Sequence, residues 1–281
     1  MKISSEVTSD KWQVTRKGRA ANPVTCHPSR VTGFTMVEIA ICLAVIGIAL
    51  ISIIGVLPIG MNTQRDNREE TIINLDATVF IEAIRGGARG LDDLTNYVYA
   101  ITNYQVKYPA GTIYTYGFTN GAPSILTNGM NIVGLLSTPE FTDLSFNPTN
   151  NLFSGGYSNH IVAYVHSISG PAIEKPPQDN DIVRGDSFGY RILCVNAPVA
   201  VDTNIFSLPS AQQLYTKQLA ANLHELRLTF LWPQQPNGKV GPGRQTFRTM
   251  VAGQILRTFG PGNMPVYFYQ SQSFVNVTNT P

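Results

Sequence analysis

Three patterns of apolar and polar positions follow one another along the chain. Residues 1–33 are polar and basic, have no apolar periodicity, and carry Pro23 and Pro28, which interrupt any helix there. Residues 39–57 (IAICLAVIGIALISIIGVL) are 19 positions without a charge. As a helix they are about 29 Å long at ~1.5 Å per residue, close to a ~30 Å hydrocarbon core. Arg65, Asp66, Arg68, Glu69 and Glu70 then make a charged turn, after which Ile73, Ala77, Phe80 and Ile84 fall at i, i+4, i+7 and i+11. That spacing is one apolar stripe of a helix, from which Leu75 faces away. Gly86, Gly87 and Gly90 end the pattern. A helix over 34–85 is predicted, with the span at 39–57. Pro58 removes a hydrogen bond inside it and is expected to kink or loosen it.

From residue 91 the pattern turns to short apolar runs between Gly-, Pro-, Asn- and Thr-rich stretches. Strands are predicted at 112–118, 131–136, 160–168, 187–195, 225–232, 246–255 and 265–275. The run at 225–232 alternates cleanly, with Leu226, Leu228, Phe230 and Trp232 on one face and Glu225, Arg227 and Thr229 on the other, as a half-buried strand does. Residues 233–244 (PQQPNGKVGPGR) read as the turn of a long hairpin. Ser210 and Gln213 have the spacing of a capping box for a short helix over 211–221. Residues 170–181, with Pro171, Pro176 and Pro177, read as a surface loop. The expected class is α+β, a long N-terminal helix packed on a β-rich head spanning 91–281.

Composition narrows the function classes. The chain is 43% hydrophobic and 14% charged, against roughly 25% charged in an average domain, so most of it has enough apolar surface to fold. Lys2, Lys11, Arg16, Lys17, Arg19 and Arg30 outweigh Glu6 and Asp10, so the whole positive excess lies in the first 33 residues. The remainder is slightly acidic, which gives nucleic-acid binding no electrostatic support and predicts no nucleic-acid partner. Basic residues before a single span place the N-terminus in the cytoplasm. Cys26, Cys42 and Cys194 are too scattered for a disulfide framework or metal cluster.

One short motif separates this span from a secretory signal or a plain anchor. Pro58-Ile59-Gly60-Met61-Asn62 is a poor cleavage site for a signal peptidase, and Glu38 puts a carboxylate at the start of an apolar helix, where it is expensive unless paired. Gly33-Phe34-Thr35-Met36-Val37-Glu38, followed at once by the apolar run, resembles the processing signal of type IV prepilins and type II secretion pseudopilins. The region 55–62 (GVLPIGMN) is also similar to the large prepilin-like proteins of the Verru_Chthon cassette B family. The likeness covers roughly residues 30–85.

The resemblance implies chemistry done to the chain. A membrane prepilin peptidase would cut between Gly33 and Phe34, remove residues 1–33 and N-methylate Phe34. It implies that Glu38 pairs with the Phe34 amine of a neighbouring subunit and sets register in a helix bundle, the other reading being a carboxylate that snorkels to water. It implies as partners the peptidase, other pilin or pseudopilin subunits and an inner-membrane assembly machinery. The chain is then expected in the inner membrane with its head periplasmic, and afterwards in a pilus or pseudopilus, as a non-enzymatic and minor subunit. The other reading is a single-pass anchored periplasmic domain with a binding or enzymatic role. A service in DNA uptake or adhesion is a third.

Other constellations point less far. Gly185-Asp186-Ser187-Phe188-Gly189 matches G-x-S-x-G, but a Pro-rich loop precedes it and a strand follows, the wrong setting for a nucleophile elbow. Arg184-Gly185-Asp186 spells an adhesion tripeptide of a length that recurs by chance. Asp179, Asp181 and Asp186 crowd one loop with Asn180 as hard oxygen ligands without a full series, so no cofactor is expected and calcium is the weak candidate. His160 and His166 share a strand face but lack a third zinc ligand. Cys194 falls on one face with Phe188, Tyr190 and Ile192 and is expected to be a buried thiol. Asn276-Val277-Thr278 is a glycosylation sequon that matters only in a suitable host.

Overall fold

A computed structural model describes residues 33–87, 92–119, 125–147, 152–169, 188–199, 209–235 and 237–276. The chain is α+β, with a long apolar N-terminal helix and a large antiparallel sheet. It divides into two compact units, one up to Ile59 and the other from Gly60 onward.

Helix α1 (Met36–Gly86) is a single element of 51 residues with Pro58 inside it. Proline has no N–H, so the carbonyl of Ile54 lacks its helical donor there. The apolar side chains from Met36 to Met61 are exposed, and the helix is long and apolar enough to cross a membrane. In the second unit Ile73, Ala77, Phe80 and Ile84 are all fully buried while Leu75 is exposed, as the stripe predicted.

The main sheet runs β2 (Thr112–Thr119), β1 (Val98–Lys107), β4 (Leu152–His166), β5 (Gly189–Pro198), β6 (Leu223–Gln234), β7 (Val240–Ala252), and β3 (Phe141–Asn147) pairs with β4. β4 is long enough to use both edges. Its residues 157 and 158 face β1 on one side and β3 on the other, while β5 takes over the β3 side from Ile161. Strands β8 (Gln254–Phe259) and β9 (Pro265–Gln270) form a separate hairpin. The core lies between the α1 stripe and one face of the sheet, built from Ile101, Ile161, Ala163, Val165, Tyr190, Ile192, Leu226, Leu228 and Phe230. The Phe230 ring is its hub, 6.4 Å from Phe80, 5.4 Å from Tyr190 and 5.5 Å from Phe247 between centroids. β6 alternates along its length as its sequence required.

Three expectations are corrected. Residues 131–136 are not a strand but part of helix α2 (Gly129–Leu136). A short continuous apolar run fits a buried strand or a buried helix equally well. Asn128 decides it, because its Oδ1 accepts the Met130 N–H at 2.8 Å and caps the helix. The run 246–255 is two strands, since Gly253 turns the chain at φ +130° with no room for a Cβ against the Gln270 carbonyl. Helix α3 (Ser210–Asn222) begins after Pro209, which occupies the cap position without a side-chain cap bond, so Ser210 is a helical residue rather than the cap. Strands β1 and β3 and the first half of β4 were missed. In β1 the polar Thr102, Asn103 and Gln105 hide the alternation.

Candidate functional site

The residues singled out for processing and assembly stand at the start of α1. Gly33 and Phe34 are exposed and precede the helix, and nothing lies within 4 Å of where a Cβ on Gly33 would sit. Thr35 and Glu38 cap the helix reciprocally. The Thr35 N–H donates to Glu38 Oε2 at 3.4 Å, and the Glu38 N–H donates to Thr35 Oγ1 at 3.3 Å. This is the Thr-x-x-Glu capping box, which satisfies two of the free N–H groups of a first turn. Sequence reasoning had looked for a partner for Glu38 outside the chain and missed the local one three residues away. Further along, the Ser52 hydroxyl donates to the Ile48 carbonyl at 2.8 Å, so it presents no unsatisfied donor to an apolar medium.

The second unit holds a polar site that the sequence reading missed altogether. Asp76 lies on the buried face of α1, 0% exposed, within the stripe of Ile73, Ala77 and Phe80. Its Oδ2 accepts the Ile168 N–H at 2.9 Å and the Tyr190 hydroxyl at 2.8 Å, and its Oδ1 accepts the Ser169 N–H at 2.8 Å. The carboxylate therefore joins α1 to the residues that leave β4 and to the start of β5. Burial pushes its pKa up, and the hydrogen bonds it accepts oppose that rise. Tyr190, fully buried beside it, is pushed well above the ordinary tyrosine range by burial and then by the Asp76 charge. The available signal was position, since residue 76 is three after Ile73 and so on the apolar face.

A second buried network fixes α2 and the hairpin. The Tyr269 hydroxyl donates to the Asn196 side-chain oxygen, and Asn196 Nδ2 donates to the Ser137 carbonyl at 2.7 Å. Gly134 on α2 faces β9, where a Cβ would come within 2.7 Å of the Val266 Cβ. Two adjoining clefts of about 470 and 620 Å³ lie between α2, the β8–β9 hairpin and the end of α1, sharing Met130, Thr258 and Phe268 as walls. Arg85 is the one charged side chain in their described lining, which also includes the titratable Tyr269.

The remaining candidates separate. Asp179, Asp181 and Asp186 lie outside the described residues, as do Asn180, Arg184, Gly185 and Ser187 of the two short motifs and Val277 and Thr278 of the sequon. His160 is exposed on β4, while His166 packs against the Tyr99 ring with centroids 4.7 Å apart. Among the described residues, no three His, Cys, Asp or Glu side chains gather closely enough to hold a metal. Cys194 is buried, as expected, and burial pushes its thiol pKa far up, which suits an inert core thiol. His224, buried against the edge of Tyr269, has its pKa lowered by burial, partly offset by the Ala221 backbone.

No family model, no curated protein and no solved structure matches the chain.

Proposed function

We propose that the chain is a pilin-like structural subunit, cut between Gly33 and Phe34, N-methylated on Phe34 and assembled through α1 into a type IV pilus or type II secretion pseudopilus. The observation that carries the reading is a conjunction. The Gly-Phe-Thr-Met-Val-Glu motif is exposed and directly opens a helix whose apolar side chains up to Met61 find no cover among the described residues, and whose later stripe is core. A helix apolar on all sides needs lipid or other helices around it. The same segment can use the two in turn, first as a membrane anchor and then as the packed centre of a filament.

On this reading the prepilin peptidase meets Gly33, where the missing side chain admits close approach of its own backbone. Cleavage leaves Phe34 with a free amine one residue before the capping box, so Thr35 and Glu38 persist in the mature chain. The box holds Glu38 by one long hydrogen bond of 3.4 Å, weak enough to be exchanged for an ion pair with the amine of a neighbouring Phe34. An inner-membrane assembly machinery, driven from outside this chain, would lift cleaved subunits whose Phe34 end faces the cytoplasm and whose head is periplasmic. The length of the head fits a minor rather than a major subunit.

The capping box also favours a second reading, because it gives Glu38 a purely local role. In an anchored periplasmic domain with a binding or enzymatic task, nothing more would be asked of it. Intact mass and N-terminal sequencing of the protein from its native membranes separate the two. A chain starting at N-methyl-Phe34 supports the subunit, and an intact Met1 refutes it.

A further inference from the structure

The main sheet ends on two unlike edges. β7 is guarded in the ways edge strands usually are. It carries Pro242, exposed Arg244 and Arg248, and a register shift against β6 between Trp232 and Gln234. β2 carries none of these. Its eight residues, Thr-Ile-Tyr-Thr-Tyr-Gly-Phe-Thr, contain no charge and no proline, and its register with β1 is unbroken from Thr112 to Thr119. Among the described residues it pairs with β1 alone. Among the described residues both of its faces are open from Thr112 to Gly117, with Ile113 67%, Tyr114 40% and Tyr116 46% exposed, and only Phe118 near its end packs on the core. A flat, neutral, β-prone edge of this kind is a template for another strand.

We propose that β2 pairs antiparallel with the β2 of a second copy, joining two heads by a continuous sheet. The strand is complementary to itself. A two-fold axis perpendicular to the sheet through Thr115 sets Tyr114 opposite the partner's Tyr116, twice, and Ile113 opposite the partner's Gly117, where the larger side chain covers the bare backbone. Aromatic pairs and filled glycines are favourable cross-strand contacts. No charge on β2 meets a like charge in this arrangement. The antiparallel sense also sends Lys107, paired with Thr112 at the end of β1, to opposite ends of the joint. The alternative of β2 against the β7 edge of another copy meets Pro242 and the two arginines. Eight residues of edge fall short of the roughly 20–30 residues a side of a stable complex. The joint is therefore expected where copies are concentrated in one membrane, which raises their effective concentration. It requires no processing at Gly33, so it and the subunit reading can fail separately.

The test uses the full chain in proteoliposomes with Cys26→Ser and Cys42→Ser. Thr115→Cys, placed on the proposed axis, should give a disulfide-linked dimer under a mild copper–phenanthroline oxidant at least tenfold faster than Thr246→Cys, exposed on the guarded edge. Adding Tyr114→Lys and Tyr116→Lys brings like charges face to face and should slow that cross-link at least tenfold, while the unfolding midpoint read by Trp232 fluorescence stays put. Equal rates at the two edges, or a cross-link indifferent to the lysines, would overturn the proposal.

Discussion

Replacing Asp76 by alanine removes the one acceptor shared by the Ile168 N–H, the Ser169 N–H and the Tyr190 hydroxyl. A buried donor left without a partner costs about 1–3 kcal/mol, so three of them set an upper range near 3–9 kcal/mol. Two effects reduce this. The variant no longer buries a carboxylate, the cost that raises the Asp76 pKa, and water can enter the space left behind. The expected loss is about 3–5 kcal/mol, the size seen when one member of a buried charged network is removed. For a unit the size of residues 60–281, ~1 kcal/mol moves the midpoint by about 2–4 °C, giving a drop of roughly 6–20 °C. The assay is thermal or urea unfolding of the detergent-solubilised chain, followed by the buried Trp232. Leu75→Ala, one residue away on the exposed side, is the control and should stay within ~0.5 kcal/mol of wild type. A loss below ~1 kcal/mol for Asp76→Ala, or an equal loss for Leu75→Ala, would refute the view that this carboxylate ties α1 to the sheet.

Other outcomes follow from the same contacts. Phe80→Ala empties the space against Phe230 and should cost about 3–5 kcal/mol, read as a lower urea midpoint at unchanged slope. Gly134→Ala forces a Cβ to 2.7 Å from Val266 and should cost about 1–3 kcal/mol, with near-UV circular dichroism reporting the shifted Phe268 and Tyr269 packing. His224 has a folded pKa below its unfolded value of 6.5, so the unfolded chain takes up the proton first. Its contribution is full above ~6.5 and is lost as pH falls from there through the folded value, and His224→Gln should flatten that part of the stability–pH curve. Thr35→Ala removes an N-cap worth about 1 kcal/mol of local helix stability and should speed amide exchange in the first turn of α1 without moving the Trp232 midpoint. Glu38→Ala should abolish filament incorporation if the chain is a subunit, and leave localisation unchanged if it is an anchored domain.

The elements legible in the sequence were those in which one physical demand dominates. The 39–57 run and the 73–84 stripe each obey a single period, and β6 alternates because one face meets the core and the other does not. What stayed hidden was decided by tertiary partners. Helix α2 could not be told from a strand, because an apolar run buried on every side has no period to read. β1 was obscured by Asn103 and Gln105, which point at Asn159, both donating to its Oδ1 at 3.1 Å, so polar residues occupy positions that face inward. Asp76 was passed over because a carboxylate on an apolar face looks like noise in the pattern until the Ile168 and Ser169 N–H groups, more than ninety positions away, supply its partners. The N-terminal motif was readable as residue types, but the capping box inside it needed the backbone geometry of the first turn.

The way α1 is held to the sheet sets how the head would respond to a pull along the helix. Apolar contacts such as Phe80 on Phe230 yield gradually, because their energy follows the area covered. The bonds that Asp76 accepts from the Ile168 N–H, the Ser169 N–H and the Tyr190 hydroxyl are 2.8–2.9 Å long and directional, and they weaken steeply once bent out of line. Under tension the attachment is therefore stiff at small displacement and brittle once the carboxylate lets go, a bolt set in a greased joint.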